Sequence, residues 1–326
     1  MSIVSCRRNK RALRLADALE AAESTEGAVL RMARSERAEM FKVLEMRKRM
    51  NKNTKKLIYN IFMYIILTIL TFITLMPLLW MLSASIKTDS EVFSTTFRWI
   101  PEVPQWKNYQ KIWTKIPLLT FVFNSVKLTV IITFVQVVTS SFAAYGFSKC
   151  KFKGRDVLFL MYVATIAIPW QVYMLPQYSM MNKFHLVDSH LGYVLMQSFT
   201  AFGVFLMRQF FMSLPNELLE AGRIDGLSEY GNYARIALPL AKPSVATLTI
   251  FSFVNVWNDY MGPMIYFNAT EKKTIQIGIK LFIAQYSAEY GLVMAASVLS
   301  LIPVLAIFLA GQKFFVQGVA SSGIKG

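Results

Sequence analysis

Residues 218–243 read LLEAGRIDGLSEYGNYARIALPLAKP. The stretch carries the acids Glu220, Asp225 and Glu229 and the bases Arg223, Arg235 and Lys242, punctuated by Gly222, Gly226, Gly231, Pro239 and Pro243. Its pattern predicts helix, turn, helix. Pro215 suits a first helical turn, NELLEAGRID is rich in helix formers, and Gly226 follows as a stop. Ser228 is placed to cap a second helix, EYGNYARIAL, which Pro239 and Pro243 close. A polar helix pair between two long apolar runs is unusual, and its position decides how the whole chain is read.

Working outward, the 326-residue chain is 55% hydrophobic and 17% charged, with a mean hydropathy of +0.41. Runs of about 20 apolar residues, enough to cross a bilayer as a helix, recur along it. The expected fold is all-α and polytopic, with six transmembrane helices at about 57–82, 119–147, 157–177, 190–212, 244–266 and 291–312. Pro169 lies well inside the third span and should kink it, while Pro176 is expected to close it. Asp188 or Ser189 is a candidate cap for the fourth.

Orientation follows from basic residues. Residues 1–56 hold 15 Lys/Arg against 7 Asp/Glu, and SKCKFKGRD at 148–156 is a second basic cluster. The positive-inside rule places both in the cytoplasm. Six spans then put both termini inside, with residues 1–56 and 314–326 as cytoplasmic tails. Residues 83–118, 178–189 and 267–290 become outer loops, and the stretch at 213–243 becomes a cytoplasmic loop. This rule also accounts for most of the net charge of +16. No basic-aromatic module of the nucleic-acid-binding kind is present, so no nucleic-acid partner is expected.

Several chemistries find no support. Cys6 and Cys150 lack His or Cys neighbours at metal spacing, and both fall on the reducing side, so neither a metal nor a disulfide is expected. No G-x-x-x-x-G-K-[ST] segment occurs, so an ATP site of that kind is not on this chain. The spans lack the Ser/His, Asp/Asp or His-Glu-x-x-His sets of an intramembrane enzyme. They are also poor in the buried charges expected of a stand-alone ion-coupled carrier. His185 and His190 are isolated and suit surface or capping roles.

The loop carries a resemblance. Glu220 and Ala221, a small residue at Gly222, Gly226 after three more residues, Ile236 nine residues on, then Leu238-Pro239, follow a motif. That motif is similar to the loop of the inner-membrane permeases of binding-protein-dependent ABC importers. Gly222 stands where the family pattern has Ala. The stretches MPLLWMLSASIKT, NSVKLTV, VNVWNDYMGPMIY and GQKFFVQGVASSGIKG narrow the likeness. They resemble the smaller permease subunit of maltose-type carbohydrate importers, over residues 55–326.

The resemblance implies a type I importer fold and a non-catalytic transport subunit with no cofactor. Its implied partners are a cytoplasmic ABC ATPase dimer, a second permease subunit, an extracytoplasmic substrate-binding protein and the lipid bilayer. The implied location is the plasma (inner) membrane of a bacterium or archaeon. Residues 213–243 would seat in the ATPase. Glu220 and Asp225 would supply charge at that seam, Ala221, Gly222 and Gly226 would permit close approach, and Ile236, Leu238 and Pro239 would complete the motif. The implied cargo is a sugar or oligosaccharide. Another small solute, such as glycerol phosphate or an amino acid, and a stand-alone carrier are the alternatives.

Two readings stay open for the polar run in the fifth span. Asn255, Trp257, Asn258 and Asp259 either line a translocation path, with Trp257 stacking on a sugar face, or make helix–helix hydrogen bonds and interfacial anchors. Lys127 is a candidate partner for Asp259. Trp170, Gln171 and Tyr173, beside Pro169, are expected mainly to pack. Trp99, Trp106, Tyr109 and Trp113 suit either a binding-protein contact or an interfacial belt. Residues 1–50 lie outside the resemblance. They read either as an extension upstream of a start at Met32, Met40, Met46 or Met50, or as a cytoplasmic regulatory helix.

Overall fold

The computed structural model describes residues 37–42, 54–94, 96, 98–284 and 289–323, with side chains in the last helix described to residue 313. Most of the basic tail, the choice of start and most of the C-terminal signature lie outside the described residues. The chain forms two units, residues 1–77 and 78–326. In the first, residues 37–42 are helical and exposed, and the helix α1 (Thr54–Ala84) begins.

The second unit is helical, with no strand among the described residues. After two short helices, α2 (Asp89–Val92) and α3 (Asn108–Lys115), comes α4 (Leu118–Lys149), 32 residues without a break. At 1.5 Å per residue it is about 48 Å long, more than a bilayer core. Together α1, α4 and the last helix, α14 (Tyr290–Gly323), are long and apolar enough to cross a membrane singly.

The other runs are broken. The third divides into α5 (Arg155–Ala164), a 3-10 turn at Thr165–Ala167, and α6 (Trp170–Lys183), bent by 101°. Pro169 sits at that break, as the sequence predicts. Pro176 does not close the run; it lies inside α6, which continues to Lys183. The fourth run divides into α7 (His190–Gln197) and α8 (Ala201–Ser213), bent by 43°. Ser189, not Asp188, caps α7 by accepting the Gly192 N–H. The loop stretch gives α9 (Asn216–Ile224) and α10 (Glu229–Asn232). The fifth run gives α11 (Lys242–Trp257) and the short α12 (Met261–Tyr266). Counting each bent pair as one span, up to six spans are available.

Residues 267–290, expected to be an outer loop, contain α13 (Ile275–Ala284). Its Ile275 and Phe282 are buried with Phe121 of α4 and Leu292 and Ala295 of α14. The length threshold for a span hides such an element: a largely apolar segment of ten residues forms a packed helix, not a crossing.

All three buried clusters contain residues of α4. Phe121 belongs to the first, Leu128 and Ile132 to the second with Met181, Tyr193 and Tyr266, and Ala144 and Tyr145 to the third with Val204, Phe211 and Leu248. The polar side chains of α4 also satisfy backbone groups that the breaks release. Gln136 donates to the Gln197 carbonyl (2.7 Å) and Thr139 to that of Ser198 (2.8 Å), at the α7–α8 break. Asn124 donates to the carbonyls of Glu271 and Lys273, and Ser125 accepts the N–H of Ile275. Broken helices persist in a bilayer only when such groups find partners, and α4 supplies them.

Candidate functional site

The helix pair at 213–243 forms from its own local chemistry. α9 ends in a Schellman motif: Leu227 N–H reaches the Gly222 carbonyl (2.8 Å) and Gly226 N–H that of Arg223 (3.0 Å). Gly226 occupies the left-handed region at φ +84°, which disfavours any side chain. Ser228 caps α10 by accepting the Gly231 N–H. The second helix then widens into a π-helical turn at Tyr233–Ala237, followed by Leu238–Leu240 and a 79° bend into α11.

This arrangement sorts the motif residues into two sets. Glu220, Ala221, Asp225, Gly226 and Pro239 are exposed and Leu238 partly so, with Ile224 beside them 86% exposed. The exposed set thus puts an apolar tip beside the carboxylates of Glu220 and Asp225. Gly222 is buried and faces inward, against the expectation that it lets a partner approach. A Cβ built there would lie 2.2 Å from Asn232 Oδ1 and 2.7 Å from Ile236 Cδ1. Asn232, fully buried, donates to the Leu219 carbonyl (3.1 Å) and so pins the two helices together. The Ala of the family pattern would meet Asn232 at this position. Ile236 packs in the same interior.

One residue the sequence did not single out, Tyr145, ties this pair to α4 through Glu229. Arg223 Nε donates to Glu229 Oε1 (2.8 Å), and Tyr145 Oη donates to Glu229 Oε2 (3.0 Å). That hydrogen bond and charge from Glu229 make the Arg223 guanidinium more basic than usual. Nothing in the spacing of Tyr145 marks it, since a tyrosine near a helix end reads equally well as an interfacial anchor.

A cavity of about 620 Å³ opens among α4, α6, α7, α8 and α11. Its polar wall includes Gln136, Gln171, Gln197, Asn255, Asn258 and Asp259, and Trp170, Tyr173 and Tyr260 add aromatic surface. No Lys, Arg or His is among the lining residues. Trp170, Gln171 and Tyr173 therefore border the cavity rather than simply packing. Gln136 and Gln197 escaped the sequence reading, although an amide inside an apolar run was the available signal.

Of the four residues in the fifth-span motif, Asn255, Asn258 and Asp259 border the cavity and Trp257 does not. Trp257 is 2% exposed, stacked on Phe253 and bonded through Nε1 to the Ser300 carbonyl of α14 (2.9 Å). It is a helix–helix contact. Asp259 accepts from Tyr193 Oη, from Gln197 Nε2 (3.3 Å) and from the Gly262 N–H (3.0 Å). Lys127 is not its partner: the Lys127 ammonium donates to His190 Nδ1 (2.7 Å), and His190 Nε2 donates to the Lys272 carbonyl (3.0 Å).

An exposed helix pair and a polar cavity within a bundle of apolar, broken helices fit a membrane transport subunit. Residues 136–321 match the family described as binding-protein-dependent transport system inner membrane component. The chain belongs to that family. It is 32% identical over 253 residues to the arabinooligosaccharides transport system permease protein AraQ of Halalkalibacterium halodurans, covering 77% of this chain and 91% of that one. It is 33% identical over 254 residues to the sn-glycerol-3-phosphate transport system permease protein UgpE of Yersinia enterocolitica, covering 76% and 90%. It is similar in structure to a chain of a bacterial ABC transporter involved in the import of the acidic polysaccharide alginate. The TM-score is 0.69 and the identity 26%, over 79% of this chain and 96% of that one. The protein is a multi-pass membrane subunit of a binding-protein-dependent importer.

Proposed function

We propose that this chain forms half of the translocation path for an uncharged sugar or oligosaccharide, in an importer driven by separate ATPase subunits. The carrying observation is the cavity: amides, hydroxyls and aromatic faces with one carboxylate and no cation. Amides bond hydroxyl groups and aromatic rings cover the apolar faces of pyranose or furanose rings. A phosphate or carboxylate cargo wants Arg or Lys, which this wall lacks. Similarity to a glycerol-3-phosphate permease keeps that cargo as the second reading. Glu220, Ala221, Asp225, Gly226, Leu238 and Pro239 present the surface that seats in the ATPase, with Gly222 and Ile236 shaping it from within. The basic loop at 149–155 and the helix pair then lie in the cytoplasm together with both termini.

The test is ATP-driven uptake into proteoliposomes by the complex purified with its binding protein. An arabinose oligosaccharide and sn-glycerol 3-phosphate compete as cargo. Uptake of the neutral sugar, unaffected by excess glycerol phosphate, is the expected result. Preferential uptake of the phosphate overturns the cargo reading. Labelling of single cysteines at Lys153 and Ile224 from the cytoplasmic side only would support the orientation.

A further inference from the structure

The helix pair at 213–243 is joined covalently to α8 and α11, yet both joints are interrupted. On one side Leu214 and Pro215 separate α8 from α9. On the other, the π-helical turn and the 79° bend separate α10 from α11. Beyond those joints, where Leu214 N–H bonds the Phe211 carbonyl and Val245 N–H that of Ala241, the pair is tied to a third spanning helix, α4. Ser141 Oγ and Tyr233 Oη are 2.8 Å apart, Tyr145 bonds Glu229, and Lys149 Nζ donates to the Leu214 carbonyl (2.7 Å) and to Asn216 Oδ1 (2.8 Å). Phe142 adds ring contacts to Tyr230 and Tyr233. Ser141, Tyr145 and Lys149 are spaced by four residues, so they form one row along the end of α4.

The same helix reaches the cavity. Gln136 lies nine residues before Tyr145, about 13 Å along an uninterrupted helix. It borders the cavity and holds the Gln197 carbonyl at the α7–α8 break. An uninterrupted helix bound at one end to the loop and further along to the cavity wall moves as one body, whereas a bent joint absorbs displacement.

We propose that α4, gripped by Ser141, Tyr145 and Lys149, is the element that carries motion of the 213–243 helix pair to the cavity. Tyr145 and Glu229 are the positioning residues that make the grip, and Gln136 is the point where it meets the path. The proposal rests on the reading of 213–243 as the ATPase seat. In its cycle, ATPase closure shifts the helix pair, the row on α4 follows, and Gln136 displaces the α7–α8 break. The covalent joints at Leu214–Pro215 and Ala241 act as hinges.

Distances between nitroxide labels test this in the assembled complex in nanodiscs, in a Cys6→Ser, Cys150→Ser background. The labels sit on Phe134→Cys of α4 and Leu175→Cys of α6, both exposed positions at 68% and 71%. The separation is measured without nucleotide and with ATP trapped by vanadate. A shift is expected with the native pair. Tyr145→Phe and Glu229→Gln should each lose most of it, while the ATPase still co-purifies and hydrolyses ATP. Tyr145→Phe keeps the ring against Phe211 and Tyr233. Glu229→Gln lies on an exposed helix and leaves the packing of α4 intact, so a folding defect in one variant does not remove the test. Native-sized shifts in both variants overturn the proposal, as does hydrolysis with no shift in the native pair. Failure of the native chain to retain any ATPase instead strikes the reading of the loop itself.

Discussion

Asn232 sits over Gly222 so closely that a methyl group on Gly222 would meet its Oδ1 at 2.2 Å. Asn232 is fully buried and donates to the Leu219 carbonyl, so it has no room to retreat. Restoring the family's Ala at this position therefore works against the loop. Gly222→Ala should destabilise the helix pair by about 1–3 kcal/mol, the usual cost of overpacking. Adding Asn232→Ala should return part of that loss by opening the space. Thermal unfolding and ATPase co-purification of the single and double variants would show the rescue; additive losses would disprove the pairing.

Gly226 tests a different property. No atom lies within 4 Å of a Cβ built there, so space is not the issue. The left-handed φ of +84° is. Gly226→Ala should cost about 1–2 kcal/mol through backbone strain. Gly226→Asn, whose side chain tolerates that region better, should cost less. The order of midpoints in thermal unfolding checks it.

Trp257 and Asn255 lie two residues apart and should behave oppositely. Trp257→Phe removes a donor from the buried Ser300 carbonyl and should cost about 1–3 kcal/mol of stability. Its KM for cargo should be unchanged. Asn255→Ala, on the cavity wall, should raise KM or lower uptake with little change in unfolding. Uptake kinetics beside thermal unfolding separate the two.

Asp188 gives a pH dependence. Burial alone would raise its carboxyl pKa. The amides of Ala269 and Asn268 and the Lys272 ammonium outweigh that and hold it below the usual carboxylate range. A carboxylate with a depressed folded-state value contributes stability above its unfolded value, about 3.9, and loses it as pH falls through the lower folded value. Asp188→Asn should therefore unfold at lower temperature than the native chain at neutral pH. The gap should shrink below about pH 3.9 as the native carboxyl takes up its proton. Asn accepts the φ of +54° at this position, so the comparison isolates charge from backbone strain.

The sequence displays the parts of this architecture that depend on neighbours along the chain. The apolar runs, the Gly226 stop, the Ser228 cap and the break at Pro169 are local signals, and the last three stand where the pattern puts them. Contacts between distant segments are not local. Nothing near Trp257 says that Ser300 will accept its N–H, and nothing near Gly222 announces Asn232. Tyr145 finds Glu229 84 residues away, across a turn whose direction only packing fixes. α13 was hidden for another reason: an apolar segment too short to cross a membrane carries no periodicity that distinguishes a loop from a packed helix.

The break at Pro169 leaves α6 beginning at the cavity, with Trp170 and Gln171 in its first turn. The opening N–H groups of a helix have no acceptor within it, and they carry the positive end of its dipole. The positive end of α6 thus lies beside a cavity whose lining has no cationic side chain. Substitution of Gln171, Asn255 or Tyr173 changes what the wall recognises, yet no substitution short of proline deletes an amide proton. The positive potential at this end of the helix is thus set by the chain's geometry rather than its letters.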